Sequence, residues 1–216
     1  MEETFKHKGL RKKLIDLLRA KGINDELVLN AMNKVPRHLF IDSAFESHAY
    51  EDKAFPIAAG QTISHPFTVA FQSSLLQIQP GDKILEVGTG SGYQTSILVA
   101  MGAEVYTIER QKTLVDFSKN ILNKIGFSPK YQTFGDGYKG MPTFAPFDKI
   151  IVTAGAPILP KKLLRQLKIG GMAVIPIGEK EQKMYTFLRV SDKKFEQMSF
   201  GDYRFVPMLE NKDIAD

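Results

Sequence analysis

Residues 83 to 101 read KILEVGTGSGYQTSILVAM, and this stretch decides the fold. An apolar run built on Ile84, Leu85 and Val87 has the length of a buried strand, and after the glycines apolar residues recur at helical spacing. Strand, turn and helix in direct succession bring backbone N–H groups and a helix N-terminus to the strand's carboxyl end. Gly88, Gly90 and Gly92 let the chain turn sharply there and let a ligand approach the main chain. The economical reading is a cofactor site. A dinucleotide fingerprint has its third glycine one place later, and a P-loop needs Gly-Lys-Ser/Thr, so neither pattern is present. Glu86 at the strand's end would repel a pyrophosphate but suits an ammonium. S-Adenosyl-L-methionine carries an amino acid in place of phosphates, and the loop favours it over NAD.

Further strands extend the pattern. VYTIER ends in Glu109, about twenty residues past the glycines, where an acid accepts hydrogen bonds from ribose hydroxyls. The next strand runs into FGDGYKG, in which Asp136 is placed to accept from an adenine amino group and Gly137 permits close packing of the ring. From residue 83 onward, strand-like runs at KILEVG, EVYTIE, KYQTF, FDKIIVTA and MAVIPIG alternate with helical stretches at YQTSILVAM, KTLVDFSKNILNKIG and PKKLLRQLKIGG. Nearly continuous Val/Ile strands belong in a parallel sheet covered on both faces. The segment KMYTFLRVSDKKFEQMSFGDYRFVPM has no intervening helix and predicts an antiparallel hairpin at the sheet edge. The expected class is α/β: a Rossmann-like, doubly wound, mostly parallel sheet with an antiparallel edge.

Residues 1–79 read as a helical cap with an active-site segment, and 80–216 as the α/β core of a single domain. In the cap, LRKKLIDLLRA forms a helix stopped by Gly22, Asn24 caps DELVLNAMNKV, and Pro66 sits in the first turn of PFTVAFQSSLLQIQ. At 216 residues with 43% hydrophobic and 25% charged composition, the chain can core one domain and is too short for two full ones. No internal repeat or low-complexity linker interrupts it.

Composition narrows the chemistry. Cysteine is absent, which excludes disulfides, thiolate metal sites and thiol nucleophiles. The four histidines, His7, His38, His48 and His65, lack metal-ligand spacing. No run approaches the roughly 18 apolar residues of a membrane span, and the charged start is unlike a secretory signal, so no membrane partner and a cytoplasmic location are expected. The net charge is +5 and the pI about 9.2, yet lysines are interleaved with acids, as in GEKEQK, and read as a solvated surface rather than a nucleic-acid footprint. A monomer is expected.

The segment AFPIAAGQTISHPF, residues 54 to 67, sets Ser64 beside His65 and invites a hydrolase reading. Adjacent side chains in an extended segment point apart, so His65 reads as a wall or surface residue rather than a base. Ser64 has a plain alternative as the cap of the helix that follows. Together with VPRHLF at 35 to 40, GQTISHPF, LEVGTGSGYQTSIL, VYTIER, GDG, PFDKIIVTA and the terminal RFVPM, the chain resembles the protein-L-isoaspartate (D-aspartate) O-methyltransferase family over nearly its whole length. The methyltransferase loop is shared with many enzymes, whereas its combination with GQTIS and RFVP is specific. The chain departs from the family at His65, often Gln or Ala, and at Leu209, which can be Thr.

The resemblance implies methyl transfer from S-adenosyl-L-methionine to the free α-carboxylate of isoaspartyl residues, with acceptance of D-aspartyl residues open, in damaged proteins and peptides. It implies Ser64 as the active-site residue, Thr62, Ile63 and Val206 as substrate contacts, and Glu86, Gly88, Gly90, Glu109, Asp136 and Gly137 as cofactor contacts. The ester would then cyclise spontaneously to a succinimide whose hydrolysis returns some normal aspartate. A carboxylate is already ionised at neutral pH, so no general base is needed. A nucleic-acid methyltransferase using the same cofactor is the rival, but the Asn/Asp-Pro-Pro-aromatic motif for exocyclic amines is missing. Intact GQTIS argues against a non-catalytic binding module.

Overall fold

Leucines spaced along one face, with Thr4 capping their start, make the first helix, α1 (Phe5–Ala20). The structure, a computed structural model, describes residues 3–213. Leu14, Ile15 and Leu18 of α1 are buried against α2 (Glu26–Lys34) and the core. The cap of α2 is Asp25 rather than the expected Asn24: Asp25 Oδ1 accepts from Leu27 N at 3.0 Å and Val28 N at 3.2 Å. An Asp25→Ala variant is expected to lose about 1 kcal/mol, read as a lower urea midpoint at unchanged m-value.

Two 3₁₀ turns, Arg37–Phe40 and Ser43–His48, follow. The His38 ring stacks on His7 at 3.9 Å between centroids, and its Nδ1 pairs with the Tyr50 hydroxyl at 2.8 Å. Burial, reinforced by His7, pushes His38 down to about 4, so it ties α1 to this segment as a neutral ring. Short strands β1 (Phe55–Pro56) and β2 (Thr62–Ile63) pair antiparallel. Helix α3 (Pro66–Leu75) has Pro66 in its first turn as expected, but stops short of the expected end because Gln77, at φ 52°, leaves helical conformation.

The sheet contains β3 (Lys83–Val87), β4 (Glu104–Glu109), β5 (Tyr131–Phe134), β6 (Phe147–Val152), β7 (Leu167–Ile177), β8 (Gln182–Arg189) and β9 (Phe195–Tyr203) in the order β5-β4-β3-β6-β7-β8-β9. Pairing is parallel from β5 through β7, and antiparallel for β7 with β8 and β8 with β9. Helices α4 (Tyr93–Ala100), α5 (Lys112–Ile125) and α6 (Lys161–Leu164) connect the parallel strands. The expected doubly wound sheet with an antiparallel edge is present.

One expected helix is largely replaced. PKKLLRQLKIGG keeps a single turn, α6, and its second half opens β7, where Leu167 pairs with Phe147. Gly170 at φ 81° breaks helical geometry, and a Cβ on Gly171 would stand 2.8 Å from the Asp148 carbonyl oxygen, so this glycine pair suits close strand approach.

Strand alternation divides the core. Ile84 faces the layer made by the cap and α4, whereas Leu85 and Val87 face the layer containing Phe147, Leu163 and Leu164. Chain order reverses between β3 and β6, the place where an open α/β sheet leaves a crevice beyond its strand ends.

Candidate active site

At that reversal the glycine turn after β3, the start of α4, the 61–64 segment and residues 206–209 line a solvent-open cleft. Each glycine of the turn has its own reason. Gly88 has φ 100°, and a Cβ there would overlap the Thr153 hydroxyl, which donates to the Val87 carbonyl at 3.0 Å and the Gly88 carbonyl at 2.5 Å. Gly90 has φ 53°, and a Cβ there would meet only Ile57 Cδ1, at 3.9 Å. The turn is thus packed tightly beneath and left open above.

Glu109, 5% exposed at the end of β4, is held by two backbone donors: Gly90 N to Oε2 and Gln111 N to Oε1, each at 2.9 Å. It lines the cleft with its acceptor capacity only partly used. Gly137 also lines it, and a Cβ there would come 2.6 Å from Val87 Cγ1. Asp136 stands beside the lining, where its Oδ1 accepts from Tyr138 N at 2.9 Å.

Glu86 is off the cleft wall. Alternation puts it on the Ile84 face, fully buried under the turn, where Oε2 accepts from the Thr95 hydroxyl at 2.5 Å and Oε1 has no partner among the described residues. Desolvation, only partly offset by the hydrogen bond from Thr95, pushes it up from 4.5 to about 8. Between these values the unfolded chain releases a proton that the folded chain keeps, so stability falls as pH rises, by up to about 1.4 kcal/mol per unit. The ligand-free protein is expected to have a lower urea midpoint at pH 8 than at pH 6.5. Glu86→Gln removes that slope; an equal slope in the variant would assign it elsewhere.

These groups fit S-adenosyl-L-methionine. Gly90 offers an open backbone edge and Glu109 a fixed acceptor for hydroxyls, whereas Glu86, expected as a cofactor contact, lies buried beneath the turn and outside the lining. Arg110, the lysine or arginine on the lining among the described residues, is committed to the Asn211 carbonyl at 3.2 Å and Asp213 at 3.5 Å. That leaves little provision for a pyrophosphate.

On the opposite wall, Thr62, Ile63 and Ser64 line the cleft at the end of β2. The Ser64 carbonyl accepts from Arg37 Nη2 at 2.8 Å, while its hydroxyl bonds to no described residue. The N-cap of α3 is His65, without a side-chain capping bond, so Ser64 is not spent as a cap. His65 is exposed and outside the lining. Val206 closes the cleft from the C-terminal segment, pinned by Gly155 N to the Val206 carbonyl and Met208 N to the Gly155 carbonyl, both 2.8 Å.

Sequence reasoning missed several wall residues. Gln72 donates to the Val152 carbonyl at 3.0 Å and Gln94 to the Ser73 hydroxyl at 2.9 Å, both from the cleft lining. Their signal was a polar amide on an otherwise apolar helical face. Tyr93 lines the cleft beside them.

The family model described as protein-L-isoaspartate (D-aspartate) O-methyltransferase matches residues 9–213. A protein-L-isoaspartate O-methyltransferase of Christiangramia forsetii is 59% identical over 213 residues, 99% of this chain and 100% of that relative. One of Flavobacterium johnsoniae is 58% identical with the same coverage. Among solved structures, a protein-L-isoaspartate O-methyltransferase superposes with TM-score 0.85 at 27% identity, covering 93% of this chain and 66% of that longer one. A Plasmodium falciparum chain assigned to the same activity, solved with S-adenosyl-L-homocysteine, gives TM-score 0.82 at 28% identity, covering 93% and 99%.

Proposed function

The chain belongs to the protein-L-isoaspartate (D-aspartate) O-methyltransferase family, and from that premise we propose that Ser64 orients the acceptor carboxylate in its cleft. The activity is S-adenosyl-L-methionine-dependent methylation of the free α-carboxyl of isoaspartyl residues in damaged proteins and peptides. When bound, that cofactor supplies an electrophilic methyl group. The chain must hold the nucleophile in line with it and keep water out.

The observation that carries the reading is an unpaired hydroxyl on a fixed backbone. Ser64 lines the cleft across from the glycine turn, its carbonyl clamped by Arg37 and its side chain uncommitted. A neutral donor orients a carboxylate without the strong pairing that would blunt its attack. Thr62, Ile63 and Val206 shape the groove around it. On the cofactor side, Gly88, Gly90 and Gly137 give close backbone approach, Glu109 accepts from ribose hydroxyls and Asp136 accepts from the adenine amino group, while Glu86 supports the turn from beneath through Thr95 rather than touching the cofactor.

The reading extends to a cytoplasmic monomer acting on proteins rather than nucleic acid. Among the described residues no helix is long and apolar enough to cross a membrane. Transfer of labelled methyl from cofactor to an isoaspartyl peptide, its aspartyl twin and RNA separates the alternatives. Label in the isoaspartyl peptide alone is expected; label in RNA, or equally in both peptides, would overturn the acceptor assignment.

A further inference from the structure

Arg37 is a wholly buried guanidinium that makes no ion pair among the described residues. The acid nearest in effect, Asp52, is already engaged by Phe67 N at 2.8 Å and Lys21 Nζ at 2.6 Å. Burial lowers the affinity of Arg37 for its proton, opposed by Tyr93, yet an arginine keeps its charge in proteins. An unpaired buried charge is costly, and fold stability alone would be served more cheaply by an apolar side chain of similar volume.

Its contacts converge on the active site. Nε donates to the Ala49 carbonyl at 3.1 Å, and Nη2 to the carbonyls of Lys53 at 3.2 Å and Ser64 at 2.8 Å. The guanidinium lies 4.7 Å from the Tyr93 ring centroid, and Tyr93 opens α4 directly after the glycine turn. One planar cation therefore joins the cap, the Ser64 segment and the helix of the cofactor turn.

We infer that Arg37 is a positioning residue for the acceptor: it fixes the Ser64 backbone against α4 and supplies, from behind Ser64, the positive charge by which the site prefers an ionised carboxylate. The inference rests on Ser64 being the acceptor-orienting group. A carboxylate that accepts from the Ser64 hydroxyl has the guanidinium behind the Ser64 backbone, and the intervening medium is protein rather than salt solution, so the charge is little screened.

The test measures binding of two peptides to the protein saturated with S-adenosyl-L-homocysteine. One carries an isoaspartyl residue with a free α-carboxylate, the other the same residue as carboxamide. Wild type is expected to prefer the carboxylate by about tenfold or more, and Arg37→Lys to keep most of that preference. Arg37→Met should narrow it to about twofold, weakening the carboxylate peptide well beyond the carboxamide, since loss of the backbone clamp alone would weaken both peptides alike. Equal weakening in Arg37→Met overturns the inference. Should Arg37→Met fail to fold, the wild-type preference in about 0.5 M salt decides: a buried charge is little screened and the preference persists, whereas its collapse would assign it to surface lysines and overturn the inference. A wild type that binds neither peptide overturns the acceptor reading beneath it; an undiminished preference without Arg37 overturns only the role of Arg37.

Discussion

Ser64→Ala is expected to lower kcat for an isoaspartyl peptide about a hundredfold, the scale on which a single oriented donor acts, while S-adenosyl-L-homocysteine affinity changes less than about twofold. The asymmetry follows from geometry. The Ser64 hydroxyl bonds to no described residue, so its removal leaves no protein group unpaired, and the Arg37 clamp acts on the backbone carbonyl that alanine retains. The fold and the glycine turn are untouched. What is lost is the group that holds the carboxylate in line, and misalignment by about an ångström costs factors of this size. Steady-state kinetics with calorimetric cofactor titration checks it; a parallel loss of cofactor affinity would make Ser64 a cofactor residue instead.

Gly88→Ala should fail from the other side of the cleft. At φ 100° an alanine is strained, and its Cβ would displace the Thr153 hydroxyl from the carbonyls of Val87 and Gly88. Strain of about 1–3 kcal/mol and two weakened hydrogen bonds of about 1 kcal/mol each sum to roughly 3–5 kcal/mol of lost stability. The turn shifts, and cofactor affinity is expected to fall about thirtyfold or more. Gly126→Ala is the matched control: φ is again positive, at 76°, but nothing lies within 4 Å of the added carbon. It should cost about 1 kcal/mol through backbone strain alone and leave cofactor affinity unchanged. Denaturant melts and ligand titrations of the two variants separate strain from site damage.

What could be read from the chain in advance was what depends on neighbours in sequence. The β3-turn-α4 unit, Glu109 at the next strand end and Pro66 opening α3 are local signals, and the structure has them. Glu86 shows where a local reading stops. Its position at a strand end was plain, but period-two alternation with Ile84 puts its carboxylate under the turn and off the cleft wall. The helix expected over PKKLLRQLKIGG lost to pairing of Leu167 with Phe147, a tertiary choice reinforced by the glycine pair. Arg37 is separated by 27 residues from Ser64, whose carbonyl it holds. Nothing periodic links them, and only the folded cap brings the charge behind Ser64.

In the proposed mechanism the substrate brings its own ionised nucleophile and the protein only positions it. The measurement closest to that mechanism is kcat at saturating cofactor and isoaspartyl peptide, from about pH 6 to 8.5, for wild type and His65→Ala. A carboxylate is already ionised throughout, so the two profiles are expected to be flat and to superimpose. A rise in wild-type rate between about pH 6 and 7.5 that disappears in His65→Ala would overturn this mechanism, because it would restore a base beside Ser64.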